Sequence, residues 1–235
     1  MSLIISVYTN EGIVMASDSR STATITQVLP NGNTASALGV QITDNTYKTF
    51  LYDGRIGIST CGAASINNKP ITGYIDQFIM QNEEKKYGVH DVSFALLNHF
   101  SALGLSEDVH FIVAGYNSSG YKEIEQVQTL GNQINPINTN ISGVVWDGET
   151  GILTRLVKPV IVNNMNGTYF DLPPYTTNYE FFSLQDAIEY AEYAIEITMK
   201  TMKFQNCVKT VGGPIDILVI KPDKAMWIQR KELHA

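Results

Sequence analysis

Two apolar runs separated by a tight turn open the chain, and they constrain its fold more than any other feature. Residues 2–9 and 12–18 read as strands, with Asn10-Glu11-Gly12 as the turn between them. Turn residues set between β-branched apolar runs mark a hairpin. A hydroxyl residue, Ser2, stands directly behind Met1, and the second strand runs into Asp18-Ser19-Arg20. With Met1 removed, Ser2 carries a hydroxyl and a free α-amine on one residue. Such an amine, with an unperturbed pKa of about 7.7–8.0, is partly neutral near pH 7. It can then serve as general base for its own hydroxyl.

Charge and composition exclude several classes. Of 235 residues, 44% are hydrophobic and 17% charged, too apolar for a disordered chain. The length suits one large globular domain or at most two small ones, and we take 1–235 as one. The net charge of −7 and pI near 5.1 argue against a nucleic-acid partner, as does the lack of a Lys/Arg cluster with interleaved aromatics. No apolar run is long enough to span a membrane, and the N-terminus lacks a basic n-region and an uninterrupted apolar stretch. The expected location is cytoplasmic. Cys61 and Cys207 are isolated, without metal-type spacing, and a disulfide between them is disfavoured in a cytosolic chain. His90, His99, His110 and His234 show no ligand spacing and read as surface or core residues. No metal or organic cofactor is expected.

Further elements follow along the chain. Residues 29–41 are small, polar and turn-rich and read as a long loop. Residues 48–52 and 55–60 form a hairpin around Asp53-Gly54, a pair that tolerates the positive φ of a type I′ turn. Tyr74, Ile75, Phe78 and Ile79 give one helical face, and a second helix covers about 90–103. Strands are expected at 109–116 and 143–146, with Asp147-Gly148-Glu149-Thr150-Gly151 turning into another strand at 152–157. Residues 163–182 look irregular. Ser183 and Asp186 fit the N-cap and its acidic N3 partner of a long amphipathic helix. Closing strands are expected at 214–220 and 225–230.

The order is thus strands, two helices, strands, a helix, strands. Two antiparallel sheets packed face to face with helices on the outer faces satisfy it. Periodicity alone permits other α+β folds.

Several local motifs, in order, resemble those of the proteasome β-subunit and bacterial HslV group of N-terminal-nucleophile hydrolases. Gly12-Ile13-Val14-Met15-Ala16-Ser17-Asp18-Ser19-Arg20 looks like the strand that ends in the family's Asp-Ser/Thr-Arg. Lys48, followed by a hairpin into Thr60-Cys61-Gly62-Ala63-Ala64, looks like its Lys and glycine segment, at the family's spacing (62 − 48 = 14). Phe111-Ile112-Val113-Ala114-Gly115-Tyr116, Asp147-Gly148 and Gly212-Gly213 resemble later family segments, so the likeness runs over nearly the whole chain.

The resemblance implies an α+β, four-layer αββα sandwich of two antiparallel sheets flanked by helices. It puts Ser2 at the nucleophile position, Asp18 and Lys48 at the family's Asp/Lys pair, and Gly62 at the glycine whose N–H helps form an oxyanion hole. The implied activity is cleavage of peptide (amide) bonds through Ser2 after Met1 removal. The implied assembly is a homo-oligomeric ring, with an ATP-dependent unfoldase as a partner. A catalytically silent structural subunit and a small-molecule amidase on the same fold are the alternatives.

The chain departs from the family pattern at several points. Asp18 and Lys48 are 30 residues apart (48 − 18 = 30), roughly twice the family interval, with the excess at 29–41. Asn166-Gly167-Thr168 is a poor counterpart of the family's Gly-Ser-Gly. Val208 falls where a second supporting Asp is expected, and Pro173-Pro174 would shorten the third helix.

Overall fold

The computed structural model describes residues 2–67, 69–104, 108–172 and 175–232. The readings on Met1, Pro173-Pro174 and His234 lie outside the described residues. The chain begins with strands β1 (Leu3–Tyr8), β2 (Ile13–Ser17), β3 (Ser21–Val28), β4 (Thr34–Thr43), β5 (Thr49–Tyr52), β6 (Ile56–Gly62), β7 (Ser65–Ile66) and β8 (Lys69–Pro70). Helices α1 (Ile71–Asn82) and α2 (Val89–Ser101) come next. Strands β9 (Val109–Tyr116), β10 (Lys122–Gln128), β11 (Gln133–Pro136) and β12 (Gly143–Gly148) follow. The chain closes with α3 (Gly151–Val157), β13 (Val160–Asn163), β14 (Tyr169–Leu172), α4 (Leu184–Phe204), β15 (Asp216–Ile220) and β16 (Ala225–Gln229).

These strands make five antiparallel sheets. Two have five strands, in the orders β12-β1-β2-β15-β16 and β11-β10-β9-β6-β5, and three are two-stranded: β3-β4, β7-β8 and β13-β14. The expected four-layer αββα sandwich is therefore corrected. Among the described residues strand outweighs helix, 38% to 25%, and the strands are divided among five small sheets with four α-helices, where two helix-flanked sheets were expected. The segments read as loops account for part of the difference. Residues 29–33 make the turn of the β3–β4 ribbon, and from Thr34 on the segment is β4, held extended by its pairing with β3 rather than by its own small polar side chains. The region 163–182 likewise contributes to the β13–β14 ribbon.

The expected strand at 152–157 is α3. Ile152 and Leu153 are adjacent and both buried in one cluster, which a strand would forbid by sending them to opposite faces. Strands β10 and β11 had no counterpart in the sequence reading. The Asp53-Gly54 turn has positive φ at both residues, as expected. Ser183 accepts from the Asp186 N–H and the Ser183 N–H donates back to the Asp186 carboxylate, the expected capping box of α4.

Period-two alternation distributes the core. From β1, Leu3, Ile5 and Val7 join Val14 and Ala16 of β2, Ile217 and Val219 of β15, and the apolar stripe of α4. The opposite faces of the same strands, with Ile4, Tyr8, Met15 and Leu218, meet Cys61, Ile112, Ala114 and Ile124 of the other five-stranded sheet. Phe111 and Val113 point the other way, onto Ile75, Phe78, Leu96 and Phe100 of α1 and α2. Strands β1, β2 and β15 are thus apolar on both faces, and a one-residue slip would mismatch both layers. No helix among the described residues is long and apolar enough to cross a membrane.

Leu218→Ala, at a fully buried position in the layer between the two sheets, is expected to lower unfolding free energy by about 2–5 kcal/mol. Ile25→Ala, half exposed on the β3–β4 ribbon, is expected to change it by less than about 0.5 kcal/mol. Urea denaturation reads both, and equal losses would contradict this division of the core.

Candidate functional site

The β1–β2 turn sets a register in which Ile4 faces Ser17. Leu3 then lies opposite Asp18, the first residue past β2. The Asp18 carboxylate is fully buried and accepts four hydrogen bonds. Its Oδ1 takes the Leu3 N–H (3.0 Å) and the Lys48 ammonium (2.7 Å). Its Oδ2 takes the N–H groups of Arg20 (3.1 Å) and Gly212 (3.0 Å). Three segments distant in sequence, at Leu3, Lys48 and Gly212, converge on one side chain, with the neighbouring Arg20 N–H as the fourth donor.

Lys48 directly precedes β5 and is buried with Asp18. Its Nζ also donates to the Arg20 carbonyl at 2.6 Å. Burial pushes the Lys48 ammonium below the ordinary lysine pKa, and the Asp18 carboxylate opposes that shift. Beneath it the Thr49 hydroxyl reaches Ser17 and Ser59, each at 2.9 Å, tying β2 to β5 and β6.

Ser2, Lys48 and Gly62 line one narrow cavity with Cys61, Thr60, Ala63 and the root of the β3–β4 ribbon, Arg20 to Thr22. Ser2 itself is 8% exposed. The free volume is about 20 Å³, roughly room for one water. A wider depression of about 680 Å³ runs beside α1 and α2, past Asn82, Lys85, Tyr87, Asp91 and His99, away from all four expected site residues.

Gly62 faces Val109 in the β6–β9 register. Val109 spends its N–H on the Thr129 hydroxyl and its carbonyl on the Thr129 N–H, both toward β10. Gly62 therefore makes no ladder bond with Val109 and presents its N–H to the other edge. On that edge the Thr60 N–H donates to the Lys48 carbonyl at 2.8 Å, and β5 begins only at Thr49. Gly62 has φ +99°, and a Cβ there would sit 2.4 Å from the Asp108 carbonyl, so only glycine fits. Gly148 (φ +94°) is equally constrained, because a Cβ would lie 1.9 Å from the Ser2 carbonyl. That carbonyl accepts the Glu149 N–H at 2.7 Å, which seats Ser2 at the head of β1.

No family model matches this chain, and no curated protein matches it.

The four expected site residues, Ser2, Asp18, Lys48 and Gly62, are thus brought together. Gly167 is not with them: it turns the exposed β13–β14 ribbon, where the Asn164 N–H donates to the Thr168 carbonyl. Val208 packs toward Gly39 of β4. Cys61 and Cys207 are both free thiols, and burial holds the Cys61 thiol well above the ordinary cysteine pKa, which makes it a poor nucleophile.

Two features escaped the sequence reading. Lys231 forms a second buried ion pair, with Asp216. His110 is bracketed by carboxylates, Nδ1 on Asp147 and Nε2 on Asp108, each at 2.9 Å. Asp147 above all raises its pKa to about 9. The Asp-Gly pair at 147–148 marked only a turn, and nothing in the spacing tied it to His110.

Asp18→Asn preserves shape but leaves the buried Lys48 ammonium without a counter-charge. It is expected to cost about 3–5 kcal/mol in urea unfolding, and adding Lys48→Met is expected to recover part of the loss. A single-mutant cost under about 1 kcal/mol would contradict the buried pair.

Proposed function

We propose that the chain is an amide hydrolase that uses the Ser2 hydroxyl as nucleophile and the Ser2 α-amine as its base, acting on peptide bonds. One observation carries the reading: Asp18 Oδ1 holds both the Leu3 N–H and the Lys48 ammonium. The residue after the nucleophile and the cation beside it are fixed by a single atom. The reading requires Ser2 to be the terminal residue of the working protein.

In this mechanism the Ser2 hydroxyl attacks the substrate carbonyl and passes its proton to the α-amine. The cation at Lys48 disfavours a second positive charge nearby and so keeps the amine neutral before attack. The Gly62 N–H stabilises the oxyanion, a contact of a kind that contributes about 2.7–4 kcal/mol. The α-ammonium then protonates the leaving amine, and water activated by the same amine hydrolyses the acyl ester. The reading places the chain with proteasome-like hydrolases working as homo-oligomeric rings. Native mass separates that assembly from a monomeric amidase for small amides.

A second reading, a catalytically silent subunit, draws support from the small free volume beside Ser2 and from Lys48 Nζ being engaged by Asp18 and the Arg20 carbonyl.

Intact-protein mass spectrometry with a peptide epoxyketone or β-lactone separates the two. The hydrolase should show a mass lacking Met1 and a single adduct, and Ser2→Ala should lose both adduct and peptide cleavage. A retained Met1, or a free Ser2 that never reacts, would overturn the hydrolase reading in favour of the silent one.

A further inference from the structure

Cys61 and His110 face each other in the β6–β9 register, and their side chains share the face that carries Ile112 and Ala114. Asp147 of β12 reaches the same point from the other five-stranded sheet, sharing its strand face with Val145. One donor atom each from Cys61, His110 and Asp147 lie within 4.8 Å of one another. We propose that Cys61 Sγ, His110 Nδ1 and Asp147 Oδ2 bind a divalent transition cation of the zinc type, tying the ends of β6, β9 and β12 together.

A mixed sulfur, imidazole and carboxylate set of three suits tetrahedral zinc with water as fourth ligand. Bonds of about 2.0–2.3 Å give tetrahedral edges of about 3.3–3.8 Å. The donors therefore need to shift by about an ångström or less.

The surrounding hydrogen bonds orient the ligands. Asp108 Oδ2 lies 2.9 Å from His110 Nε2, which keeps a proton on that nitrogen and leaves Nδ1 to the cation. Asp108 is itself held through Oδ1 by the Leu130 N–H (2.9 Å) and the Thr129 hydroxyl (3.1 Å). Asp147 Oδ1 accepts the Gly148 N–H at 2.6 Å, leaving Oδ2 directed at His110. The side chains of His110 and Asp147 remain 24% and 16% exposed, so a cation has a route in. On binding it replaces the protons of Sγ and Nδ1, which pass to solvent.

The test is titration of chelator-treated, desalted protein with Co²⁺ alone, then Zn²⁺. The expected result is one equivalent of Co²⁺ per chain, tetrahedral visible bands and a sulfur-to-cobalt charge-transfer band, all abolished by Zn²⁺. At a hundredfold excess over Kd, Zn²⁺ should raise Tm by about 5–10 °C. Cys61→Ser should lose the charge-transfer band, and Cys207→Ser should keep it. Asp108→Asn should keep the band but bind about 10–100-fold more weakly. Circular dichroism checks each fold first, and Asp108→Asn, at a partly exposed position, carries the test if Cys61→Ser fails to fold. Absence of saturable binding, a spectrum unchanged in Cys61→Ser, or an affinity unchanged in Asp108→Asn would overturn the proposal. None of these readouts depends on hydrolysis.

Discussion

The buried Asp18 carboxylate is the interaction on which the rest of the structure depends. A carboxylate at zero exposure carries a desolvation cost of several kcal/mol, which is offset only when its lone pairs are filled. Its donors come from the start of β1, the segment after β2, the residue before β5 and the loop before β15. Three of them, Leu3, Lys48 and Gly212, bring separate stretches of chain to one point, and none can leave without exposing a charge to an apolar interior. The placing of Lys48 next to Leu3, the residue after Ser2, follows from that one carboxylate.

Strand ends, rather than loops, supply the geometry around Ser2. Ser2 precedes β1, Lys48 precedes β5, Gly62 ends β6 and Gly148 ends β12. The β3–β4 ribbon emerges over this cluster, and its root is fastened by Arg20, which makes a two-pronged pair with Asp44 at 2.7 and 2.9 Å. The guanidinium lies so close to Gly212 that a Cβ there would meet it at 2.4 Å. That hydrogen-bonded pair holds the Asp44 carboxyl below its ordinary pKa, so the tie is ionic at neutral pH. Farther out the ribbon contributes little to the core, with Ile25 and Val28 left exposed.

What could be read from the sequence was local chemistry. The Asp53-Gly54 turn, the Ser183/Asp186 capping box and the first hairpin depend on neighbouring residues, and each forms at or within a residue or two of its expected place. The ribbons were missed because segments rich in Asn, Gly, Pro and small side chains look like loops until a partner strand supplies the hydrogen bonds. Strand β10 was missed because Lys122, Glu123 and Glu125 mask the buried Ile124 and Val127. Lys48 and Asp18 were singled out only through a resemblance, since nothing in a 30-residue separation announces an ion pair. His110 read as an unremarkable histidine because its two carboxylates reach it from two and 37 residues away.

A second ion pair adds, after burial, a smaller push on the Lys48 ammonium. Asp216 lies opposite Ser17 across β2 and β15, one residue from Asp18. It holds Lys231, whose ammonium is also pushed below the ordinary lysine pKa by burial. The field of Lys231 adds to burial in lowering Lys48, while the field of Asp18 raises both lysines. The two buried pairs are thus coupled: Lys48 responds to Asp18 and Lys231, and Lys231 in turn to Asp216 and Asp18. A carboxylate lost from this group would leave two cations with one counter-ion, so a change at Asp216 reaches the Ser2 cavity without touching it.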